Sequence, residues 1–316
     1  MRAAAFATSL ALLVGCAPDL LPGELVVPGE LPAEFYRGAP GAGLGAAVAL
    51  DDGRLLAGAP GSGEAWVLPG DAGSVGPRGL GGAVWWSDGV PWAARVTEAV
   101  YRVDGPAAER VWLVPGARIL AAGALAGEGR VVGSDGTRVW IWDQAGELQD
   151  EIVQPGVQRL AVGAARVLIL ACAGGACQVL AWPAGSVEVE VLGEAGDGGA
   201  LVEYDGVAWW GLPALDDPSA PGEVCAEGGT CIAGIAGDHL GRSLCAGYAA
   251  GVGNTVAVPS RLRLVPLDGG TVLALDRAAP GRPAALDCDP DRIAVGLATT
   301  GLHEPGEGVV MVIARP

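Results

Sequence analysis

The sequence predicts an all-β chain folded as a seven-bladed β-propeller, with helix nearly absent. Three observations carry this. A pattern of small-residue strand, turn and second apolar strand recurs seven times, with starts near residues 44, 80, 120, 160, 200, 240 and 283. A near-constant period of about forty residues marks an array of like units. Each unit breaks into three or four short runs cut by Gly, Pro or Asp, and none keeps the roughly 3.6-residue period of a helix. The leading strands are also rich in small residues, in a chain with 53 Gly. Small residues let units crowd around an axis, and a ring of blades buries the faces that one blade alone leaves exposed.

The first unit is the clearest. It opens Leu44-Gly45, runs through Val48-Ala49 and turns at Asp51-Asp52-Gly53. Its second strand ends Gly58-Ala59-Pro60, and Gly63-Glu64-Ala65-Trp66-Val67 follows. The second unit opens Leu80-Gly81. The third runs from Leu120 to Ala124, then through Val131-Val132 and Val139-Trp140-Ile141-Trp142. The fourth spans Leu160 to Ala164, Val167 to Ala171 and Val179 to Trp182. The fifth has Ala200-Leu201-Val202 and then Val207 to Gly211; the sixth opens Leu240-Gly241 and continues Thr255 to Pro259. The seventh has Pro283 to Leu286, Arg292 to Gly296 and Gly308 to Ile313.

That last unit shows only three strands. The segment Glu24 to Tyr36 holds Leu25-Val26-Val27 and Phe35-Tyr36. Part of it is expected to pair onto blade seven and close the ring, which makes 24–316 one propeller. The paired Trp85-Trp86 and Trp209-Trp210 are expected to pack between blades. Adjacent strand residues face opposite ways, so at most one of each pair lines a common surface.

The first sixteen residues set the address. Met1-Arg2 is followed by an apolar run, Ala3 to Val14, of signal-peptide length. It is shorter than the roughly 20 residues a bilayer span needs. It ends Leu13-Val14-Gly15-Cys16, which resembles the lipobox of bacterial lipoproteins. The resemblance implies that 1–15 is a cleaved signal peptide and that Cys16 carries acyl chains, palmitate among them. Residues 16–23 would then tether the body to a membrane. Ala17, rather than Asp, after that Cys implies the outer membrane of the cell envelope by the sorting rule of enteric bacteria.

Six other cysteines remain of the seven. Cys172 with Cys177, and Cys225 with Cys231, read as bridges across Gly-Gly hairpins, and Cys245 with Cys288 as the third pair. An oxidising compartment permits all three. The spacings are not Cys-x-x-Cys, and only His239 and His303 offer imidazole, so a metal site is the weaker expectation. The net charge is -17, and loss of Arg2 with the signal makes it -18. Such a body repels phosphate backbones, so nucleic acid is not an expected partner.

The first, sixth and seventh units resemble the FG-GAP repeat of integrin α-chain propellers. The residues that carry the likeness in the first unit are Leu44-Gly45, Val48-Ala49, Gly58-Ala59-Pro60 and Gly63 to Val67; Leu stands where the family has Phe. Such propellers often hold calcium in an Asp-x-Asp-x-Asp-Gly-x-x-Asp loop, whose oxygen ligands suit a hard cation. The resemblance implies calcium ligands at Asp287, Asp289 and Asp291. Here the Gly is replaced by Arg292 and the ninth position is Val295. The run reads otherwise as an acidic, solvated turn, so no cofactor is expected, and calcium is the one ion the resemblance admits.

Neither a Gly-x-Ser-x-Gly elbow nor a His-Glu-x-x-His motif occurs. The expected function is therefore not enzymatic. It is a membrane-anchored binding or adhesion module, held by its N-terminal lipid, that recognises a protein or glycan through one propeller face. The loops Cys172 to Cys177, Leu212 to Gly222 and Ala298 to Gly308 should open on that face. Asp216, Asp217, His303 and Glu304 are its candidate contact residues. The alternative is a non-catalytic scaffold subunit of an outer-membrane assembly complex.

Overall fold

The computed structural model describes residues 25–27, 34–69, 73–114, 116–214, 217, 221–235, 237–252, 261–278, 283–297 and 306–315. The signal segment, Cys16, the 16–23 tether, Asp216, His303 and Glu304 lie outside them. All regular structure among the described residues is β, in seven sheets. No helix among them is long and apolar enough to cross a membrane.

Each sheet is one blade. The inner strands are Val48–Asp51, Leu80–Ser87, Ile119–Leu125, Val157–Val162, Leu201–Tyr204, Ser243–Cys245 and Ala285–Cys288. Neighbouring inner strands touch in sequence order, and that of blade seven touches that of blade one, so the ring is complete. Within a blade the chain runs outward by antiparallel steps. Blade one, for example, runs Val48–Asp51, Arg54–Ala59, Glu64–Leu68, Gly73–Val75.

Ring closure follows the strand count. Blade seven takes Ala285–Cys288, Arg292–Leu297 and Val309–Ala314 from the end of the chain and Glu34–Arg37 from its beginning. The closing strand lies antiparallel to Val309–Ala314, with Phe35 opposite Met311. The preceding segment behaves differently. Leu25–Val27 adds to blade six as a fifth strand, parallel to Leu273–Ala278.

The core is divided as a ring requires. The described residues form seven apolar clusters, one in each blade-to-blade interface. Second strands are covered on both sides: in Arg54–Ala59 and Arg292–Leu297 every residue after the Arg is buried. This is why they read as unbroken apolar runs rather than alternating ones. Trp209 packs in the cluster between blades five and six and Trp210 in that between four and five, on opposite faces of one strand. A half-buried network adds a polar link between blades four and five. Arg166 donates from Nε to Glu203 at 2.8 Å and from an Nη to Glu227 at 2.5 Å.

Three disulfides join Cys172 to Cys177, Cys225 to Cys231 and Cys245 to Cys288. The first two cross hairpins between directly opposed residues. The third joins the inner strands of blades six and seven.

Candidate functional site

The seven inner strands enclose a central channel of about 450 Å3. Its wall is mostly small and apolar, with residues such as Ala83, Ala122, Ala161 and Ala285. Among the described residues three charged side chains line it: Arg159 from blade four, Arg242 at the entry to blade six, and Asp287 from blade seven.

Local backbone features place each of them. The register of blade four slips between Val157 and Arg159, a bulge that inserts Gln158. Bulges re-aim the side chains beside them. Arg242 follows Gly241, whose φ of +96° suits glycine and whose carbonyl accepts from the Ala200 N–H at 2.9 Å. Asp287 accepts a hydrogen bond at Oδ2 from the Leu50 N–H of blade one, 2.6 Å away.

The channel is electrically polarised. Arg159 lies opposite Leu170, toward the end of strand Arg166–Ala173 that meets the loop between second and third strands. Arg242 directly precedes Ser243, which lies opposite Ala250 near the same end of its blade. Asp287 is opposite Ala294, near the start of Arg292–Leu297 and so toward the other mouth. Arg159 faces channel solvent yet is walled by protein on its flanks. That burial, and then the field of Arg242, hold its guanidinium below the usual arginine range. Burial, with Asp289 adding to it, pushes Asp287 up to about 6, against hydrogen bonds from the Leu50 and Cys288 backbone that favour its ionised form.

The carboxylates of Asp287 and Asp289 in the acidic run at 287–291 each make their own contacts. Asp287 turns to Leu50. Asp289 Oδ1 accepts from the Asp291 and Arg292 N–H groups at 2.9 and 2.6 Å, and its Oδ2 pairs with the Arg292 guanidinium at 3.0 Å. Asp291 is exposed. These three carboxylates do not form one of the tight ligand groups found among the described residues. Those that do form are Cys172, Cys177 and Asp197, and Glu223, Cys225 and Cys231, and both draw on disulfide sulfurs. A disulfide sulfur carries no thiolate, the form in which cysteine binds metal.

Of the expected face residues only Asp217 is described, and it is exposed. The strand ends that flank the loops expected to carry that face lie at one end of the ring. Each loop connects a second to a third strand: Ala173 to Ala176 in blade four, Leu212 to Glu223 in blade five, Leu297 to Val309 in blade seven. The arginine mouth of the channel opens at this end. Sequence reasoning did not single out Arg159 or Arg242. The available signal was a cation beside or inside an otherwise small-residue inner strand in two separate units.

A second cleft, about 460 Å3, lies between blades one and two beside Trp86, Pro91 and Val103. Its Trp86 is already engaged: Nε1 donates to the Ala49 carbonyl at 3.1 Å, and the Arg54 guanidinium covers the ring at 4.3 Å.

No protein family matches the sequence, and no curated protein matches it. Solved structures do. The AfRom2 CNH domain is similar at 11% identity over 90% of this chain and 97% of its own, with a TM-score of 0.55. The WD40 domain of Neurospora crassa Pan2 is similar at 11% identity over 88% and 90%, again with a TM-score of 0.55. BamB from Moraxella catarrhalis aligns less closely, at 16% identity over 85% and 82% and a TM-score of 0.46. Likeness at such identities speaks to fold alone, and the fold is a seven-bladed β-propeller.

Proposed function

We propose that this chain is a lipid-anchored protein of the cell envelope that works by binding a protein or glycan, not by catalysis. The observation that carries the protein-binding part is an apolar rim. Val75, Leu113, Val153 and Val191 occupy the outermost strands of blades one to four, and each is more than half exposed. Val75, Leu113 and Val153 each lie opposite the first residue of the third strand of their blade, and exposed apolar side chains repeated in this way support an interaction surface. The lipobox-like Cys16 supports the envelope address, and Ala17 the outer membrane. The FG-GAP-like first unit supports an adhesion role, with Asp216, Asp217, His303 and Glu304 as polar contacts on the loop face.

The rim also favours a second reading, a scaffold subunit within an outer-membrane assembly complex, because lasting interfaces are the more apolar ones. One experiment tests both. A photo-crosslinking residue is placed at Leu113 and at Val153 of the full-length protein in cells, with position 127, at an exposed turn, as the control. A fixed set of envelope proteins captured from the rim sites and not from the control supports a scaffold. Capture only in the presence of host or neighbouring-cell surfaces supports adhesion. Identical capture at all three sites sinks the rim as a binding surface. Labelled palmitate that enters the wild type and not Cys16→Ser establishes the anchor.

A further inference from the structure

We infer that the arginine mouth of the central channel is a binding site for a small oxyanion, a carboxylate or phosphate group held between Arg159 and Arg242. This goes beyond the envelope-binding reading and does not depend on it. The two cations arrive from separate blades on the wall of one cavity. Among the described residues neither has an ion-pair or side-chain hydrogen-bond partner, whereas Arg166, Arg263 and Arg292 each have a carboxylate. The contrast is informative in a chain with 36 acidic residues. Carboxylates are plentiful, yet among the described residues none pairs with either arginine of this mouth.

Two neighbouring guanidinium groups repel each other, and an anion between them reverses that. Arg suits the task, because its planar fork meets a carboxylate or phosphate through paired N–H donors. The Ala, Val and Leu side chains of the wall bring no competing donors, and the hydroxyl of Ser243 is engaged, donating to the Pro283 carbonyl. At about 450 Å3 the channel falls in the size range of small-molecule sites. Asp287 is the one carboxylate on the wall among the described residues. It lies toward the opposite mouth and is bonded to Leu50.

The test is calorimetric titration of the full chain with inorganic phosphate and, separately, with succinate, at constant ionic strength set by chloride. The wild type should show one saturable site for at least one probe. Arg159→Gln and Arg242→Gln should each weaken it tenfold or more, while Arg110→Gln, an exposed blade-two variant, should not. Binding of phosphate alone, or of succinate alone, identifies the group. A second measurement needs no variant: phenylglyoxal labelling of the wild type, mapped by mass spectrometry. The binding probe should protect Arg159 and Arg242 and leave Arg110 reactive. Absence of saturable binding for both probes, or labelling of the two arginines unchanged by them, overturns the site.

Discussion

Gly81 of blade two lays its carbonyl oxygen against Gly58 of blade one, in the space that a Cβ on Gly58 would occupy. Gly45 makes the same contact with Gly296, and Gly241 with Gly211. The first glycine of each pair opens a unit with φ between +83° and +96°. The second lies in the second strand of the preceding blade. The Leu-Gly opening and the Gly-Ala-Pro ending of the repeat are thus two halves of one contact between neighbours. Gly58→Ala should destabilise the protein by about 1–3 kcal/mol, the usual range for overpacking, because its partner is backbone. Gly105→Ala meets open space and should shift stability by less than about 0.5 kcal/mol. Urea midpoints of the two variants decide this, and equal midpoints refute the contact.

The closing strand Glu34–Arg37 should matter more than the chain before it. Its pairing with Val309–Ala314 completes blade seven, and Tyr36 packs against the cluster between blades seven and one. Deleting residues 24–37 should lower Tm by roughly 10 °C or more, at about 2–4 °C per kcal/mol in a domain of this size. Deleting 17–23 should leave Tm nearly unchanged. Scanning calorimetry of both truncations checks this, and matching Tm values would refute closure by this strand.

The disulfides should differ in worth. Cys245–Cys288 spans 43 residues, while the hairpin bridges span 5 and 6. A cross-link stabilises largely by restricting the unfolded chain, and more so for longer loops. Replacing Cys245 and Cys288 together by Ser should cost about 2–4 kcal/mol. The same change at Cys172 and Cys177 should cost less. Chemical denaturation under oxidising conditions ranks them, and a larger loss at the hairpin would contradict the assignment of roles.

Asp287 should make stability fall as pH rises. Its folded carboxyl keeps its proton to about 6, whereas an unfolded Asp loses it near about 4. Between those values the folded state binds more protons, so unfolding free energy declines with pH and levels off above about 6. Asp287→Asn keeps an oxygen for the Leu50 N–H and has no such titration. Urea stability from pH 3 to 8 should show the variant gaining on the wild type across that window. Parallel curves would show that Asp287 does not titrate there.

The blades were legible because each unit repeats the same local chemistry. Leu44-Gly45, Leu80-Gly81 and Leu240-Gly241 announce unit boundaries through a backbone contact that only glycine permits. The cysteine pairs were legible because hairpin geometry fixes two of them and leaves one. The missing strand of blade seven followed from counting. The parallel strand Leu25–Val27 on blade six did not, since a three-residue apolar run carries no sign of its partner. Arg159 and Arg242 stayed hidden for a related reason. They belong to different blades, and what brings them together is ring geometry plus a bulge at Gln158, neither of which leaves a linear motif. Linear spacing marks Asp287, Asp289 and Asp291 as neighbours, while the pairing of Asp289 with Arg292 shows only in the folded turn.

The closing strand also sets an order of assembly in time. Glu34–Arg37 leaves the ribosome ahead of all seven inner strands, and its partner Val309–Ala314 emerges last among the described strands. Blades one to five can pair within themselves as they appear, each from contiguous sequence, and blade six lacks only the added strand Leu25–Val27 from upstream. The final seam joins strands separated by almost the whole chain, the kind of distant contact that slows folding. Until it forms, the nascent chain carries an open sheet edge, the feature most prone to mispairing with another copy. An unfinished ring therefore keeps one edge open until Val309–Ala314 has emerged to meet Glu34–Arg37.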